Sequence, residues 1–183
     1  MTDATVPVGK GGRVYVREAG AGDVPLLLEL FAELAVYEHL ESEMHATEEL
    51  LAEALFGEQP AARALIGECD SRAAGYALYF PTFSSFLARR GVWLEDVFVR
   101  PEHRGVGLGR ALLAAVAAAA REHGGGRLEW TALHWNELAL GFYKGLGAET
   151  MDEWVTHRLV GEPLTRLAQE ARGGAPTEAV ERR

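Results

Sequence analysis

Val99-Arg100-Pro101-Glu102-His103-Arg104-Gly105-Val106-Gly107-Leu108-Gly109-Arg110 is the stretch on which the reading of this chain turns. It joins an apolar run, residues 92–99, to an alanine-rich one, residues 108–123. The first run reads as a strand interrupted only by Glu95 and Asp96. The second reads as a helix: seven of residues 111–120 are alanine, and Leu108, Leu112, Ala115, Val116 and Ala119 fall on one face. Three alternate glycines at a helix start let the backbone come close to a ligand. They also leave N–H groups pointing outward, where the helix dipole favours an anion. Arg104 and Arg110 add charge, so the simplest target is a phosphate or pyrophosphate. A dinucleotide fingerprint G-x-G-x-x-G fails, because Arg110 holds the last place after Gly105 and Gly107. The glycines also begin six residues past the strand rather than at its end. A phosphate loop needs Gly-Lys-Ser/Thr, and this turn has Gly-Arg-Ala.

Working outward, strand and helix signals alternate. Residues 13–18 alternate apolar and polar as a strand does. Asp23 reads as the cap of a helix with Pro25 in its first turn, running through Leu27, Leu30, Phe31, Leu34 and Val36. Thr47, with Glu49 and Leu50, opens a second helix through Leu55, closed by Gly57. Residues 63–68 and 74–80 read as strands joined around Asp70-Ser71-Arg72. After the long helix, Gly124–Gly126 is a stop, residues 127–133 read as a strand, and Asn136 caps a short helix over 136–145 carrying Ala139, Phe142 and Tyr143. Residues 154–159 read as a final strand. The alternation predicts an α/β (α+β) chain with a mixed, twisted central sheet and helices on both faces. One domain is expected over 13–168, with flexible tails at 1–12 and 169–183.

Composition narrows the function classes. The chain has 183 residues, 48% apolar and 25% charged, with a net charge of −9. An acidic balance argues against nucleic acid as partner, since phosphate backbones need a basic surface, and it favours small cations. No window is apolar enough for a membrane span, and the start lacks the charged and apolar regions of a signal peptide; a cytoplasmic protein is expected. The single cysteine, Cys69, can form no internal disulfide, and the six histidines have no metal-ligand spacing, so no metal is expected.

Arg104-x-x-Gly107-x-Gly109 resembles the pyrophosphate-binding motif of the GNAT acetyltransferase superfamily. The run Leu94-Glu95-Asp96-Val97-Phe98-Val99, then Trp135-Asn136-Glu137, Phe142-Tyr143-Lys144 and Gly147-Ala148, is similar to the diamine (spermidine/spermine) and thialysine acetyltransferase branch. Tyr37-Glu38 and Trp154 match that branch as well. The resemblance covers roughly 13–168 and implies acetyl-CoA as co-substrate. It implies that backbone groups of Val97, Phe98 and Val99 pair with the pantetheine arm. It implies further that Arg104, Gly105, Val106, Gly107, Leu108, Gly109 and Arg110 hold the pyrophosphate, and that Asn136, Glu137, Leu138 and Ala139 touch the cofactor further along. Tyr143 would sit beside its sulfur, and a homodimer is implied.

Acetyl transfer to an amine sets chemical demands. An ammonium has no lone pair, and a lysine-like amine is neutral in only about one molecule in a thousand at pH 7, a cost of about 4 kcal/mol. A carboxylate that binds the ammonium and accepts its proton meets this demand. Glu95 is the candidate base, and burial in its apolar strand would strengthen it. Asp96 falls on the opposite pleat face unless a bulge intervenes. The backbone N–H near Val97 is the natural donor to the developing oxyanion, and by the family pattern Tyr143 returns a proton to the departing thiolate. Glu38, Glu129 and Asp152 match positions where the branch contacts a polyamine, and Trp130 and Thr131 are placed with them as substrate contacts. His134 departs from the acidic residue usual before Trp-Asn in that branch, which argues against a long polyamine. The expected function is N-acetylation of a small cationic amine. A protein lysine or N-terminal acetyltransferase, or a non-catalytic acyl-CoA-binding module, is the alternative.

Overall fold

The computed structural model describes residues 4–5, 14–122 and 124–173. The chain divides between Thr131 and Ala132 into two compact units.

The first unit is built on a six-stranded mixed sheet in sequence order, β1 (Ala4–Thr5), β2 (Val14–Glu18), β3 (Arg63–Cys69), β4 (Arg72–Ser84), β5 (Arg89–Val99) and β6 (Leu128–Glu129). Neighbours are antiparallel from β1 to β5, and β5 pairs with β6 in parallel. Helices α1 (Val24–Glu38) and α2 (Glu48–Phe56) supply Val24, Leu27, Leu30, Leu51 and Leu55 to a core against Ala64, Ile66, Tyr76 and Phe98 on one sheet face. Helix α3 (Leu108–Glu122) packs on the other face through Leu108, Leu112, Leu113, Val116 and Ala120. Gly67 allows this close approach: a Cβ there would lie 2.8 Å from a Leu108 methyl. Helices therefore cover both faces, as the alternation predicts.

Local chemistry explains most boundaries. Asp70 and Ser71 both take left-handed φ, 50° and 64°, so that Cys69 and Arg72 can pair across a two-residue turn. Thr47 Oγ1 accepts the Leu50 N–H at 3.3 Å, the cap expected of it. Asp23 differs from expectation. It stands at the N-cap of α1, but its carboxylate accepts from Gly20 N–H and Arg17 instead, closing the preceding 3-10 turn. On α3, Leu113 and Ala120 are buried where Ala115 and Ala119 were expected, because α3 packs across the sheet with a broader face than one stripe.

The second unit holds α4 (Glu137–Gly145) and α5 (Gly161–Gly173). Asn136 Oδ1 accepts the Ala139 N–H at 3.2 Å and caps α4. Several expectations are corrected here and at the termini. Residues 127–133 yield only the two-residue β6, and 154–159 form no strand: Trp154 and Val155 are exposed, with no described strand beside them to complete a ladder. Residues 169–173 belong to α5, which Pro163 in its first turn and the Glu162–Arg166 pair at 3.5 Å support, so the expected tail does not begin at 169. Ala4 and Thr5, expected in a loose tail, pair with Val16 and Tyr15. The remaining tail positions lie outside the described residues.

Candidate active site

The site in the first unit is set by an irregularity in β5. Its pairing with β4 runs Gly75 with Val99, Tyr76 with Phe98, Ala77 with Val97 and Leu78 with Asp96, then jumps to Tyr79 with Leu94. Glu95 is the extra residue of a β-bulge, the device by which strands re-aim a side chain. The bulge removes the alternation expected of this segment. Asp96 shares the face of Leu78 and Tyr76, beneath α1, and Leu94 goes to the α3 face with Tyr79.

Backbone direction follows from the same register. Arg100 N–H donates to Ala74 C=O at 2.9 Å. By the alternation of an antiparallel ladder, Phe98 and Asp96 also turn their backbone groups to β4. Val97 and Val99 turn theirs to the opposite edge. There β6 pairs with Val92 and Trp93, and among the described residues no strand pairs with the edge beyond. Phe98, expected to pair with a cofactor through its backbone, has those groups directed at β4 and its ring in the core. Val99 C=O accepts from Arg104 Nε at 2.9 Å, and the Arg104 guanidinium lies 4.7 Å from the Tyr37 ring centroid. Arg104 thus ties the glycine turn to β5 and α1.

The turn has the geometry its glycines permit. Gly105 and Gly107 take φ of 78° and 95°. Gly107 C=O accepts Ala111 N–H at 3.0 Å, the first bond of α3. Helix geometry leaves the N–H groups of Leu108, Gly109 and Arg110 without intrahelical acceptors. These donors, with the open edge at Val97 and Val99, suit an extended ligand ending in phosphates. Upstream, Arg100 fixes the turn's entry: its Nε meets both Glu33 carboxylate oxygens at 3.0 and 2.9 Å, Nη1 donates to Ala73 C=O, and Nη2 reaches Glu29.

Three carboxylates gather at the bulge. Glu95 is exposed, contrary to the expected burial, and its Oε2 accepts from Trp93 Nε1 at 2.9 Å. The bulge turns it out of the apolar layer. Asp96, half-buried, takes the inward position instead. Burial pushes its carboxyl up to about 6, and the negative charges of Glu95 and Glu38 add to the push. Glu38, in the last turn of α1, is itself raised by burial. The Tyr76 phenol is fully buried and held well above its ordinary range, by burial first and by the Asp96 charge next. Its hydroxyl bears on Asp96 without the two meeting hydrogen-bond geometry. Sequence reasoning missed Tyr76, whose strand neighbours give no polar signal. Asp96 could have been found only by supposing the bulge.

Other expected residues are placed less closely. Glu129 on β6 lies opposite Trp93, with its carboxylate 3.1 Å from Arg127 Nε. Trp130 is half-buried and Thr131 exposed. In the second unit, Glu137, Leu138, Ala139 and Tyr143 are on α4; the Tyr143 and Phe142 rings are 5.5 Å apart. Asp152 is exposed in a turn. Among the described residues no cluster of His, Cys, Asp and Glu could hold a metal, and no helix is long and apolar enough to cross a membrane.

Residues 26–148 match the model of the acetyltransferase (GNAT) family. The chain is 37% identical over 166 residues to thialysine N-epsilon-acetyltransferase of Bos taurus, covering 85% of this chain and 97% of that protein. It is 32% identical over 208 residues to L-ornithine N5-acetyltransferase of Arabidopsis thaliana, covering 89% and 91%. Among solved structures, an integron cassette protein from the mobile metagenome of V. cholerae superimposes with a TM-score of 0.71 at 28% identity, covering 88% of this chain and 99% of that one.

Proposed function

The chain belongs to the GNAT acetyltransferase family and is an acetyl-CoA-dependent N-acyltransferase; from that premise we propose that its acceptor is the primary amine of a small cationic molecule, a lysine-like amino acid or a short diamine. The observation that carries this reading is the set of carboxylates Glu38, Glu95 and Asp96 at the β5 bulge, next to an open strand edge. Like charges gathered in this way are costly unless a cation neutralises them, and an ammonium supplies that cation. The curated relatives above are named for acceptors of this kind, thialysine and L-ornithine.

Acetyl-CoA, when bound, supplies an activated acetyl thioester. The chain's own groups divide the remaining work. Val97 and Val99 hold the extended arm through backbone groups, and residues 104–110 hold its pyrophosphate, with the N–H groups of Leu108, Gly109 and Arg110 as donors. Asn136, Glu137, Leu138 and Ala139 complete cofactor binding. Val97 N–H stabilises the oxyanion. Glu95, open to water, takes the amine's proton through it, and Tyr143 protonates the thiolate. Glu129, Trp130, Thr131 and Asp152 border the amine. Residues 13–168 act as one catalytic domain, and the active form is a homodimer, testable by sedimentation.

The test is acetyl-CoA consumption against a panel of diamines, polyamines, amino acids and aminoglycosides. The best acceptor should carry at least one cationic group besides the reacting amine. A neutral-bodied or acidic amine at the top of the panel would defeat the reading.

A further inference from the structure

We propose that Arg100 is a positioning residue for the glycine turn, which it holds against a stripe of α1 formed by Glu29, Glu33 and Tyr37. The inference rests on the reading of that turn as the acetyl-CoA site and deepens it, because it makes cofactor affinity depend on a residue outside the Arg104-x-x-Gly107-x-Gly109 motif. The turn has little to hold it in place by itself. None of residues 101–107 is buried, and the core resumes only at Leu108. Helix α1 is fixed independently by buried Val24, Leu27 and Leu30. Glu29, Glu33 and Tyr37 recur every fourth residue and so share one face of that helix. Arg100 bonds to the two carboxylates, and the Arg104 guanidinium lies 4.7 Å from the Tyr37 ring centroid. Both ends of the segment 101–103 are therefore tied to the same stripe.

The bonds of Arg100 reach three elements at once. Its backbone N–H donates to Ala74 C=O at 2.9 Å, and Nη1 donates to Ala73 C=O at 3.1 Å, both on β4. On α1, Nε and Nη2 form a fork on the Glu33 carboxylate at 2.9 and 2.6 Å, and Nη2 also bonds to Glu29. A single exposed ion pair contributes little. A half-buried planar fork, bonded to a carboxylate on one side and to backbone on another, loses less side-chain freedom for each bond it makes. Arg100 follows Val99, whose C=O accepts Arg104 Nε, so the course of the chain into Gly105 is set from both sides. A loop already in its binding conformation has less to order when an anion arrives, and the N–H groups of Leu108, Gly109 and Arg110 are presented from such a loop.

Positioning and simple charge attraction predict opposite signs. Acetyl-CoA is an anion, so action through space alone would make Glu33→Gln bind it more tightly and would leave Arg100→Lys unchanged. Positioning requires that Arg100→Gln and Glu33→Gln each weaken acetyl-CoA binding about tenfold by calorimetry, and Arg100→Lys severalfold, because lysine keeps the charge but lacks the fork. The double variant Arg100→Gln/Glu33→Gln should bind no more weakly than either single one, since both remove the same bond. In steady state KM for acetyl-CoA should rise by the same factor, while kcat and the amine KM stay within about twofold, because α1 and its Glu38 keep their core packing. Amide hydrogen exchange of the unliganded protein supplies a readout that needs no cofactor: residues 104–110 should exchange severalfold faster in Arg100→Gln, and β3 and β4 no faster. Melting curves establish that each variant is folded at the assay temperature. Tighter acetyl-CoA binding by Glu33→Gln, or wild-type binding by Arg100→Lys, overturns the proposal, as does unchanged exchange at the turn. Faster exchange there in a protein whose wild type binds no acetyl-CoA would leave the positioning role standing and refute the turn as the cofactor's site instead.

Discussion

Asp96→Asn should make the protein more stable at neutral pH. In the folded chain the Asp96 carboxyl is pushed from its ordinary 3.8 to about 6, chiefly by burial. The folded state therefore holds this proton more tightly than the unfolded state does. As pH rises from about 4 to about 6, the unfolded chain releases the proton first, so stability falls across that window and levels off above it. A gap of about two pH units at about 1.4 kcal/mol each sets a ceiling of about 3 kcal/mol on the cost of the ionised carboxylate. Asparagine keeps the shape and carries no charge, so it escapes this cost. For a chain of this size about 1 kcal/mol moves Tm by roughly 2–4 °C, so the variant should melt above wild type at pH 8, by at most about 6–12 °C. At pH 4 the two should melt together. Thermal melts at both pH values measure the difference directly. Equal melting at pH 8, or a less stable variant, would refute a costly, half-buried charge at this position and require that a cation already compensates it.

Gly107→Val should weaken acetyl-CoA binding at least tenfold by calorimetry, about 1.4 kcal/mol, since φ of 95° and the approach of a phosphate both exclude a branched side chain; unchanged affinity in a folded variant would remove the phosphate cradle. Tyr143→Phe should lower kcat about a hundredfold or more with cofactor affinity little changed, and full activity would leave the thiolate to take its proton from water. Glu95→Gln should flatten the acidic limb of the kcat/KM profile and move the optimum upward. Its Tm should stay near that of wild type because Glu95 is exposed. An intact acidic limb would shift the base to Asp96.

What the sequence by itself determined is whatever depends on near neighbours along the chain. The glycine turn, the Asp70-Ser71 hairpin, and the Thr47 and Asn136 caps follow from φ preferences and from side chains reaching backbone only a few residues away. Alternating strand and helix signals were enough for a mixed sheet covered on both faces. Tertiary structure decided the rest, because it depends on which segments meet. A bulge belongs to a pair of strands, so the spacing of Glu95 and Asp96 alone could not say which carboxylate turns inward. Tyr76 becomes polar in effect only where β4 carries it beneath the end of α1 and beside Asp96. The apolar pattern at 154–159 makes no strand without a neighbour to complete its ladder. Periodicity states which residues prefer to share a face; the dielectric around a charge, and the partner across a hydrogen bond, come from chain segments far away in sequence.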